Sequence, residues 1–418
     1  MGTNMAKYQV NYKQSLSFLQ EIMVNHKNKP WVVSFSGGKD STLLLHLIVD
    51  FICKNGESPP IIYLLYNDTL AEIPVIETWA KRVIHDVTHF LKKIGVKAIP
   101  IITYPDATET YYWRTVIRGY PAPTFKFRWC VELLKISPTK RTITELVRKH
   151  GNVIIFTGVR DDESPYRANK IKRISYCESM ACLVPFYLRT DFNGAKKIAP
   201  IRLWTEEDVW NFFYNVRHPP WSSQGNYYSY LMNLYLRGDF PVGDQIKPRF
   251  GCWMCTVAQC HRGLYASSFI DETAEILALA RQIIKEIRNI KEFRFKKNYG
   301  YSKLGPLNEY GRGLMLALFK KLDELVGLYG LNTKITYDEE NILLRELLFY
   351  KEASEVNKIL RALDNSKNTR LCNFEQVRKL SDGITKDFPD SKVKIFQKIY
   401  DLIENLSNDN TIEYITYC

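Results

Sequence analysis

A short run rich in glycine and hydroxyl residues is the part of the sequence best suited to bind phosphate. Residues 34–41 read Ser-Phe-Ser-Gly-Gly-Lys-Asp-Ser. Gly37 and Gly38 allow a tight turn and a close approach of the backbone to a ligand. Apolar runs on both sides predict a buried strand followed by a helix, whose first N–H groups attract anions. With the positive charge of Lys39, this stretch is predicted to bind nucleotide phosphates.

A group of cysteines is the second set of residues that could do chemistry. Cys252 and Cys255 are separated by two residues, and Cys260 follows after four more. Thiolates at this spacing can reach one metal or cluster from a single loop, although spacing alone does not separate zinc from iron–sulfur. Cys130, in an aromatic and basic loop, is the best candidate for a fourth ligand. His261 is an alternative ligand, and buried free thiols are the alternative to a metal site.

Two stretches interleave basic and aromatic residues, a combination that suits a nucleic-acid backbone and its bases. A solvated helix end is the alternative interpretation of the later stretch. The earlier stretch contains Tyr111, Tyr112, Trp113, Arg114, Arg118, Lys126 and Arg128. The later one contains Arg288, Lys291, Phe293, Arg294, Phe295, Lys296, Lys297, Tyr299, Tyr301 and Lys303.

Composition limits the class of protein. The chain has 418 residues, 45% of them hydrophobic, and no apolar run approaches the length of a membrane span. Its first residues lack the apolar core of a secretory signal, so we expect a cytoplasmic protein without a membrane partner. The net charge of +13 is compatible with a nucleic-acid or polyphosphate partner. Nine cysteines without an export signal favour metal or redox chemistry over a disulfide framework.

Elements of alternating type are predicted to position these residues. Strands are expected at 31–33, 61–66, 96–102, 153–157 and 198–201, and helices within 1–30 and at 42–52, 74–94 and 138–150. Another helix should begin after Thr205, with Asp208 as its capping-box partner. This alternation over residues 30–215 indicates an α/β fold with a doubly wound parallel sheet. Asp68 lies just after the second strand, at the end where such sheets bind ligands.

The predicted domain organisation has four parts. An N-terminal helical extension covers residues 1–29, and a nucleotide-binding domain covers 30–217. A cysteine-cluster segment covers 218–265, and a helical C-terminal region covers 266–418.

Several motifs together resemble the DndC family of DNA phosphorothioation sulfurtransferases, or its SspD branch in single-strand phosphorothioation. These families belong to the PAPS-reductase-like adenine-nucleotide α-hydrolase (PP-loop) superfamily. The motifs are Ser-Gly-Gly-Lys-Asp-Ser at 36–41, Phe-Arg-Trp-Cys at 127–130, Gly-Val-Arg-x-Asp-Glu-Ser at 158–164, Ala-Pro-Ile at 199–201, Trp-Thr-x-x-Asp-Val-Trp at 204–210 and Arg-Phe-Gly-Cys-Trp-x-Cys-Thr-Val at 249–257.

The resemblance implies an enzyme that splits ATP between the α and β phosphates with Mg²⁺, using Lys39 and Asp40 as catalytic residues. It also implies a 4Fe–4S cluster on Cys130, Cys252, Cys255 and Cys260, although the family spacing has five residues before the last cysteine and this chain has four. The residues implied to bind ATP are Ser34, Ser36, Gly37, Gly38, Lys39, Asp40, Ser41, Asp68, Gly158 and Arg160.

The implied function is activation of a DNA backbone phosphate so that sulfur from a cysteine desulfurase can replace one oxygen, in phage defence, alongside other subunits of a phosphorothioation complex. A tRNA thiolation enzyme and a phosphoadenylyl-sulfate reductase are alternative enzymes. The reductase usually has a C-terminal Glu-Cys-Gly, whereas Cys418 here follows Ile-Thr-Tyr. A nucleotide-sensing scaffold is the non-enzymatic alternative.

Overall fold

The computed structural model describes residues 2–163, 186–188, 190, 192–236, 250–258, 261–296, 304–326, 399 and 401–403. The chain forms two compact units. Unit 1 contains residues 1–68, 74–104 and 137–244, and unit 2 contains residues 69–73, 105–136 and 245–418. No helix among the described residues combines the length and the apolar character needed to cross a bilayer.

Unit 1 is built on a six-stranded sheet with the strand order β3-β2-β1-β4-β6-β5. Neighbouring strands are parallel except for the β5–β6 pair at one edge. The predicted α/β fold with a doubly wound parallel sheet is therefore confirmed. The strands are β1 Trp31–Phe35, β2 Ile62–Asn67, β3 Ala98–Thr103, β4 Val153–Phe156, β5 Tyr187–Leu188 and β6 Ala195–Ile198.

Helices connect and cover these strands. The predicted helix at 42–52 is longer, because it already begins at Lys39 inside the glycine-rich turn. The helices of unit 1 are α1 Gly2–Asn25, α2 Lys39–Asn55, α3 Pro74–Lys93, α4 Ser137–His150, α5 Glu206–Asn215 and α6 Ser229–Leu236.

The prediction of a fifth strand at 198–201 was wrong. The strand is Ala195–Ile198, and the antiparallel strand Tyr187–Leu188 pairs with it. Only Ile198 of this strand is fully buried, and Lys196 and Lys197 precede it. A polar strand next to a sheet edge lacks the apolar run by which the other strands were recognised.

Unit 2 is mainly helical, with a short hairpin. The hairpin, which the sequence analysis did not predict, pairs β7 Arg294–Lys296 with β8 Leu304–Leu307 in antiparallel orientation. The longer helices are α7 Arg262–Ser268, α8 Thr273–Asn289 and α9 Glu309–Val326. Shorter helical segments are Ala107–Glu109, Trp113–Ile117, Trp129–Val131 and Glu132–Ile136.

Candidate nucleotide and cysteine sites

The glycine-rich turn between β1 and α2 has the shape of a phosphate-binding loop. Gly37 has a φ of +75°, a conformation that L side chains rarely adopt, and a Cβ there would lie 3.0 Å from Ala80 Cβ. Gly38 is the N-cap of α2, and its carbonyl accepts hydrogen bonds from Thr42 N–H at 3.0 Å and from Ser41 Oγ at 2.9 Å. The backbone of the turn therefore carries no side chain at Gly37 and Gly38, and at Gly37 it lies close to α3.

The hydroxyl groups of this stretch fix the turn from within. Ser36 N–H donates to Ser41 Oγ at 3.2 Å, and the two hydroxyl oxygens are 3.1 Å apart. Ser34 lies earlier, inside β1. The first N–H groups of a helix have no acceptor within that helix. Tyr235 Oη lies 3.4 Å from Lys39 N, whose N–H can donate to it, and the N–H groups of the next residues can meet an anionic ligand.

Lys39 is held at the turn by two carboxylates. Its Nζ lies 3.3 Å from Asp40 Oδ2 and 3.3 Å from Glu206 Oε2. It also lies 5.3 Å from the centre of the Tyr235 ring, within cation–π range. The lysine is thus positioned at the start of α2, where it can exchange a carboxylate for a phosphate oxygen.

Arg160 lies in the loop that follows β4 and completes this charged network. Its side chain is only 1% exposed, and Nε donates to Asp40 Oδ1 at 2.7 Å while Nη2 donates to Glu206 Oε2 at 2.5 Å. Nη1 donates to the carbonyl of Trp204 at 3.2 Å. Two cations and two carboxylates therefore balance one another, which a buried arginine requires.

Glu206 and Tyr235 contact Lys39 and are further candidate site residues, which were not predicted from the sequence. Burial raises the pKa of Glu206, but the positive charges of Lys39 and Arg160 outweigh that effect and lower it. Its other oxygen accepts a hydrogen bond from Trp210 Nε1 at 2.9 Å. The Trp-Thr-x-x-Asp-Val-Trp motif was the available signal, because it contains both Glu206 and Trp210.

Helix α5 places Glu206 at its first position through the predicted capping box, which is confirmed. Thr205 Oγ1 accepts from Asp208 N–H at 3.2 Å, and Thr205 N–H donates to Asp208 Oδ2 at 2.9 Å. These reciprocal bonds satisfy backbone donors at the helix start.

Gly158 packs directly against the glycine-rich turn. A Cβ at this position would lie 3.0 Å from the Asp40 carbonyl oxygen and 3.1 Å from Ser41 N. These contacts are with backbone, which cannot move aside as a flexible side chain can. A larger residue at position 158 would collide with the start of α2, so glycine lets the loop after β4 pack against it.

Asp68 follows β2, the strand beside β1, at the same end of the sheet. Its side chain is 2% exposed, and Lys81 Nζ lies 3.2 Å from its Oδ2. Burial lowers the pKa of Lys81, but Glu77 and Asp68 outweigh that effect and raise it. A buried carboxylate paired with lysine therefore lies at the carboxyl ends of the parallel strands, the position predicted from the sequence.

Three of the four predicted cysteine ligands, Cys130, Cys252 and Cys255, belong to unit 2 and are near enough for their charges to affect one another. Burial raises the pKa of Cys130, and the nearby charge of Cys255 raises it further. Burial also raises the pKa of Cys252 to about 12, while Lys135 opposes the shift. Cys260 lies outside the described residues. Within the described part of the chain, no three His, Cys, Asp or Glu side chains are arranged to hold a metal ion, but thiolates are the donors that iron–sulfur clusters and zinc prefer.

Hydrogen bonds to its backbone groups hold the loop that carries Cys252 and Cys255. Trp253 N–H donates to the Ala71 carbonyl at 2.9 Å, and Arg281 Nε donates to the Cys255 carbonyl at 2.7 Å. The side chain of Arg281 is buried, so the carbonyl that it contacts is shielded from water. The positions of these two cysteines are therefore fixed by the surrounding protein.

His261, the alternative ligand, is buried, and both of its ring nitrogens contact backbone groups, which argues against its use as a ligand. Its Nδ1 accepts a hydrogen bond from Leu264 N–H at 3.2 Å, and its Nε2 lies 3.0 Å from the Cys252 carbonyl, to which it donates. Burial lowers its pKa to about 4. With both ring nitrogens in use, the neutral imidazole supports the cysteine loop.

Most described residues of the two basic, aromatic stretches pack against, or hydrogen-bond to, other parts of the chain, and Lys126, Arg128 and Lys291 are exposed. Arg288 Nη1 donates to the Pro123 carbonyl at 3.0 Å, and Arg294 Nε donates to the Gly305 carbonyl at 2.6 Å. Phe293 is 1% exposed. Tyr111, Tyr112 and Trp113 are also buried. The side chain of Lys296 and residues Lys297, Tyr299, Tyr301 and Lys303 lie outside the described part of the chain.

Comparisons with known proteins give a family match and two relatives of this chain. Residues 30–258, more than half of the chain, match the profile of the phosphoadenosine phosphosulfate reductase domain. Two uncharacterized proteins of Methanocaldococcus jannaschii are each 27% identical, over 246 and 251 residues. Each alignment covers 59% of this chain, which spans only 40% and 46% of the length of these curated relatives.

Two solved structures are similar in part. Phosphoadenylyl-sulfate reductase from Candida auris, in complex with phosphate, aligns over 56% of this chain and 88% of its own, with 19% identity and a TM-score of 0.33. The U34-tRNA thiolase NcsA from Methanococcus maripaludis, with its 4Fe–4S cluster, aligns over 54% of this chain and 72% of its own. The identity there is 12% and the TM-score 0.28.

Proposed function

This chain belongs to the phosphoadenosine phosphosulfate reductase domain family, and on that premise we propose that it is an ATP pyrophosphatase that activates a DNA backbone phosphate for replacement of one oxygen by sulfur. The observation that carries the proposal is the arrangement of Lys39 beside the bare turn of Gly37 and Gly38. A lysine, the first N–H groups of a helix and a glycine turn that brings the backbone close to the ligand are suited to bind a triphosphate.

The first step would be transfer of AMP. A non-bridging oxygen of DNA is a very poor leaving group. This oxygen attacks the α phosphorus of ATP, the bond from that phosphorus to the α–β bridging oxygen breaks, and pyrophosphate leaves. Lys39 and the N–H groups at the start of α2 stabilise the negative charge that develops on the leaving group. Bound Mg²⁺ would neutralise further charge on the phosphates.

Asp40, Arg160 and Glu206 would position the lysine during this step. While Lys39 binds phosphate, Arg160 continues to pair with both carboxylates, so neither is left buried without a cation. Gly158 and Ser41 would hold the loop backbone against the phosphates, and Asp68 would line the nucleotide pocket at the neighbouring strand end.

The second step would deliver sulfur. The terminal sulfur of a persulfide made by a cysteine desulfurase attacks the DNA phosphorus, and AMP leaves with the original oxygen. A second thiol then breaks the sulfur–sulfur bond, which leaves a phosphorothioate and a disulfide. A dithiol reductant restores the two thiols. Other subunits of a phosphorothioation complex would present the DNA.

Cys130, Cys252, Cys255 and Cys260 would hold a 4Fe–4S cluster. When bound, it would supply an iron site for sulfur or would fix the cysteine loop. The charge of Cys252, followed by that of Glu72, raises the pKa of Lys135, so this lysine stays cationic beside the thiols. It would offset the negative charge that a thiolate-ligated group brings.

The choice of DNA as acceptor is supported by the resemblance of several motifs to those of phosphorothioation enzymes and by the net charge of +13. Incubation with ATP, a cysteine desulfurase, ³⁵S-cysteine and a dithiol tests it, with DNA and tRNA offered separately. We expect label in DNA together with release of pyrophosphate. Label in tRNA alone would replace this proposal by tRNA thiolation.

Lys39→Ala tests the role of the loop in the same assay. Loss of a charge that stabilises the leaving group should lower pyrophosphate release and sulfur incorporation by about 10²- to 10³-fold. Lys149→Ala, which removes an exposed lysine of the same unit, is the matched control and should leave both rates unchanged. Full activity of Lys39→Ala would contradict the proposed mechanism, and ATP binding without pyrophosphate release by the unaltered protein would indicate a nucleotide-sensing scaffold.

A further inference from the structure

A fixed turn precedes Cys130 in unit 2. We call residues 124–128 the aromatic tip. Thr124 N–H donates to the Phe127 carbonyl at 3.1 Å, and Phe127 N–H donates to the Thr124 carbonyl at 3.1 Å. Phe127 N–H also reaches Thr124 Oγ1 at 3.2 Å. These reciprocal bonds close the turn, so the side chains at its end are presented by an ordered backbone.

The base of the aromatic tip is attached to the cysteine loop. The carbonyl of Pro123 accepts hydrogen bonds from Thr256 Oγ1 at 2.7 Å and from Arg288 Nη1 at 3.0 Å. Thr256 directly follows Cys255. On the other side of the tip, Trp129 Nε1 donates to the Pro121 carbonyl at 3.0 Å. The tip therefore stands in a fixed position relative to the thiols of Cys130 and Cys255.

Two phenylalanines of the tip face solvent. Phe125 is 77% exposed, the largest fraction among large hydrophobic side chains in the described part of the chain, and Phe127 is 44% exposed. Single exposed apolar residues are common on protein surfaces. Two aromatic rings on one fixed turn, separated by one residue, are less easily explained by the packing of the protein itself.

Positive charge surrounds these rings. The side chains of Lys126 and Arg128 are exposed, and the Arg128 guanidinium lies 4.7 Å from the centre of the Phe125 ring. The ring centres of Phe127 and Tyr120 are 6.1 Å apart. The Arg114 guanidinium lies 5.4 Å from the centre of the Tyr120 ring. Glu132, further along the chain, is exposed and acidic. The tip itself carries two positive charges and no negative one.

We propose that the aromatic tip binds an unpaired stretch of a nucleic acid, with a base stacked on Phe125 or Phe127 and with backbone phosphates beside Lys126 and Arg128. Every base has an aromatic face, and aromatic side chains next to cations are how proteins hold single strands. The inference deepens the proposed function, on which it rests for the identity of the acceptor as DNA. It gives the tip the role of holding the strand near Cys130 and Cys255.

A nucleic acid fits this surface better than a protein partner does. The rings are flat and have cations beside them in the sequence and in space, whereas protein interfaces bury a contiguous apolar patch with few charges at its centre. The phosphate of the nucleic acid also supplies the negative charge that the tip lacks.

The test measures binding of the full chain to fluorescent 20-nucleotide single strands of DNA and RNA and to a DNA duplex, by anisotropy without ATP. Phe125→Ala with Phe127→Ala should weaken binding of single strands by roughly tenfold to a hundredfold, the effect of losing a base stack. Phe269→Ala, which removes a 48% exposed phenylalanine elsewhere in unit 2, is the matched control and should bind as the unaltered protein does.

A strand that contains 2-aminopurine gives a readout specific to stacking. Its fluorescence should fall on binding to the unaltered protein and should fall much less with the double phenylalanine variant. Lys126→Gln with Arg128→Gln should keep this quenching at low salt. It should reduce the slope of log binding constant against log salt by about 1.4, since each phosphate contact on a single strand contributes about 0.7.

Equal binding and equal quenching by the unaltered protein and the phenylalanine variant would overturn the inference. Loss of binding to a cysteine desulfurase, with nucleic-acid binding unchanged, would also overturn it and would assign the tip to a protein partner. Tighter binding of RNA than DNA, still lost with the phenylalanines, would support the tip and contradict DNA as acceptor. Pyrophosphate release, measured separately with Lys39→Ala, reports on the proposed function independently of the tip.

Discussion

At the level of single residues, a charge network holds Lys39 at the start of α2, in the candidate nucleotide site. Lys39 and Arg160 share Asp40 and Glu206, and all four lie in unit 1. Lys39 and Asp40 were identifiable from the loop motif alone. Glu206 was not, because a glutamate after an N-cap is common in sequences and only the folded chain brings this one to Lys39.

Replacement of Gly158 by alanine tests how closely the loop after β4 supports this network. The new Cβ would lie 3.0 Å from the Asp40 carbonyl oxygen, so the start of α2 must shift. Because small displacements of positioned groups are costly for catalysis, we expect ATP affinity or pyrophosphate release to fall at least about tenfold. Calorimetric titration with ATP measures the affinity, and a pyrophosphate assay measures the release.

Gly225→Ala is the matched control for that variant. A Cβ there meets no atom within 4 Å, and Gly225 belongs to the same unit. The control should therefore bind ATP as the unaltered protein does. Unchanged ATP binding and turnover in Gly158→Ala would show that the close contact has no role in the site.

The cysteines make a second prediction at this scale. Protein purified without oxygen should absorb in the visible range and contain iron, and Cys130→Ser, Cys252→Ser, Cys255→Ser and Cys260→Ser should each lower the iron content. Cys53→Ser, which changes an exposed free cysteine of unit 1, should not. Colourless protein with stoichiometric zinc, measured by elemental analysis, would contradict the cluster assignment.

At the scale of elements, α5 shows how local sequence sets the position of a functional side chain. The capping box of Thr205 and Asp208 was predictable because both partners lie within one turn. The hairpin of β7 and β8 was not, because its pairing joins short strands across residues 297–303 and neither strand has an apolar alternation. Local sequence patterns were enough to predict individual helices and their caps. The pairing of segments that lie apart in the sequence could be seen only in the folded structure.

Thr205→Ala tests the connection between this helix start and the site. Loss of the cap should lower the free energy of unfolding by about 1 kcal/mol and should weaken ATP binding, because Glu206 loses its fixed place. Thr205→Ser retains the hydroxyl and should restore most of both. Urea denaturation and ATP titration measure the two effects. Normal ATP binding by Thr205→Ala would mean that the cap serves stability alone.

At the scale of the whole molecule, the fold class could be predicted from alternating apolar runs, but the two units could not. Unit 2 contains residues 69–73, 105–136 and 245–418, so it draws on three separate parts of the chain. Cys130 thereby joins Cys252 and Cys255 although more than a hundred residues separate them. Composition and charge gave no sign of this interleaving.

The stability of the molecule should depend on pH through buried histidines. His46 lies on α2 and shares a 2.8 Å hydrogen bond with the Tyr228 hydroxyl. Burial lowers its pKa to about 4 from the usual 6.5. Between these pH values the unfolded chain binds more protons than the folded one, so the free energy of unfolding falls as the pH is lowered from 6.5 towards 4.

His46→Gln removes this contribution. Its stability should fall less steeply over the same pH range, by up to about 1.4 kcal/mol per pH unit relative to the unaltered protein. Urea denaturation at several pH values, followed by tryptophan fluorescence, measures the slopes. Parallel slopes for the two proteins would show that His46 is not buried in its neutral form.

We propose that ATP activates a DNA phosphate oxygen by adenylation, and following that oxygen with an isotope label tests the proposal. DNA labelled with ¹⁸O at its non-bridging phosphate positions would be incubated with the protein, ATP, a cysteine desulfurase, cysteine and a dithiol. Mass spectrometry of the released AMP should find one ¹⁸O for each sulfur incorporated. AMP without label, with phosphorothioate still formed, would contradict adenylation of the DNA.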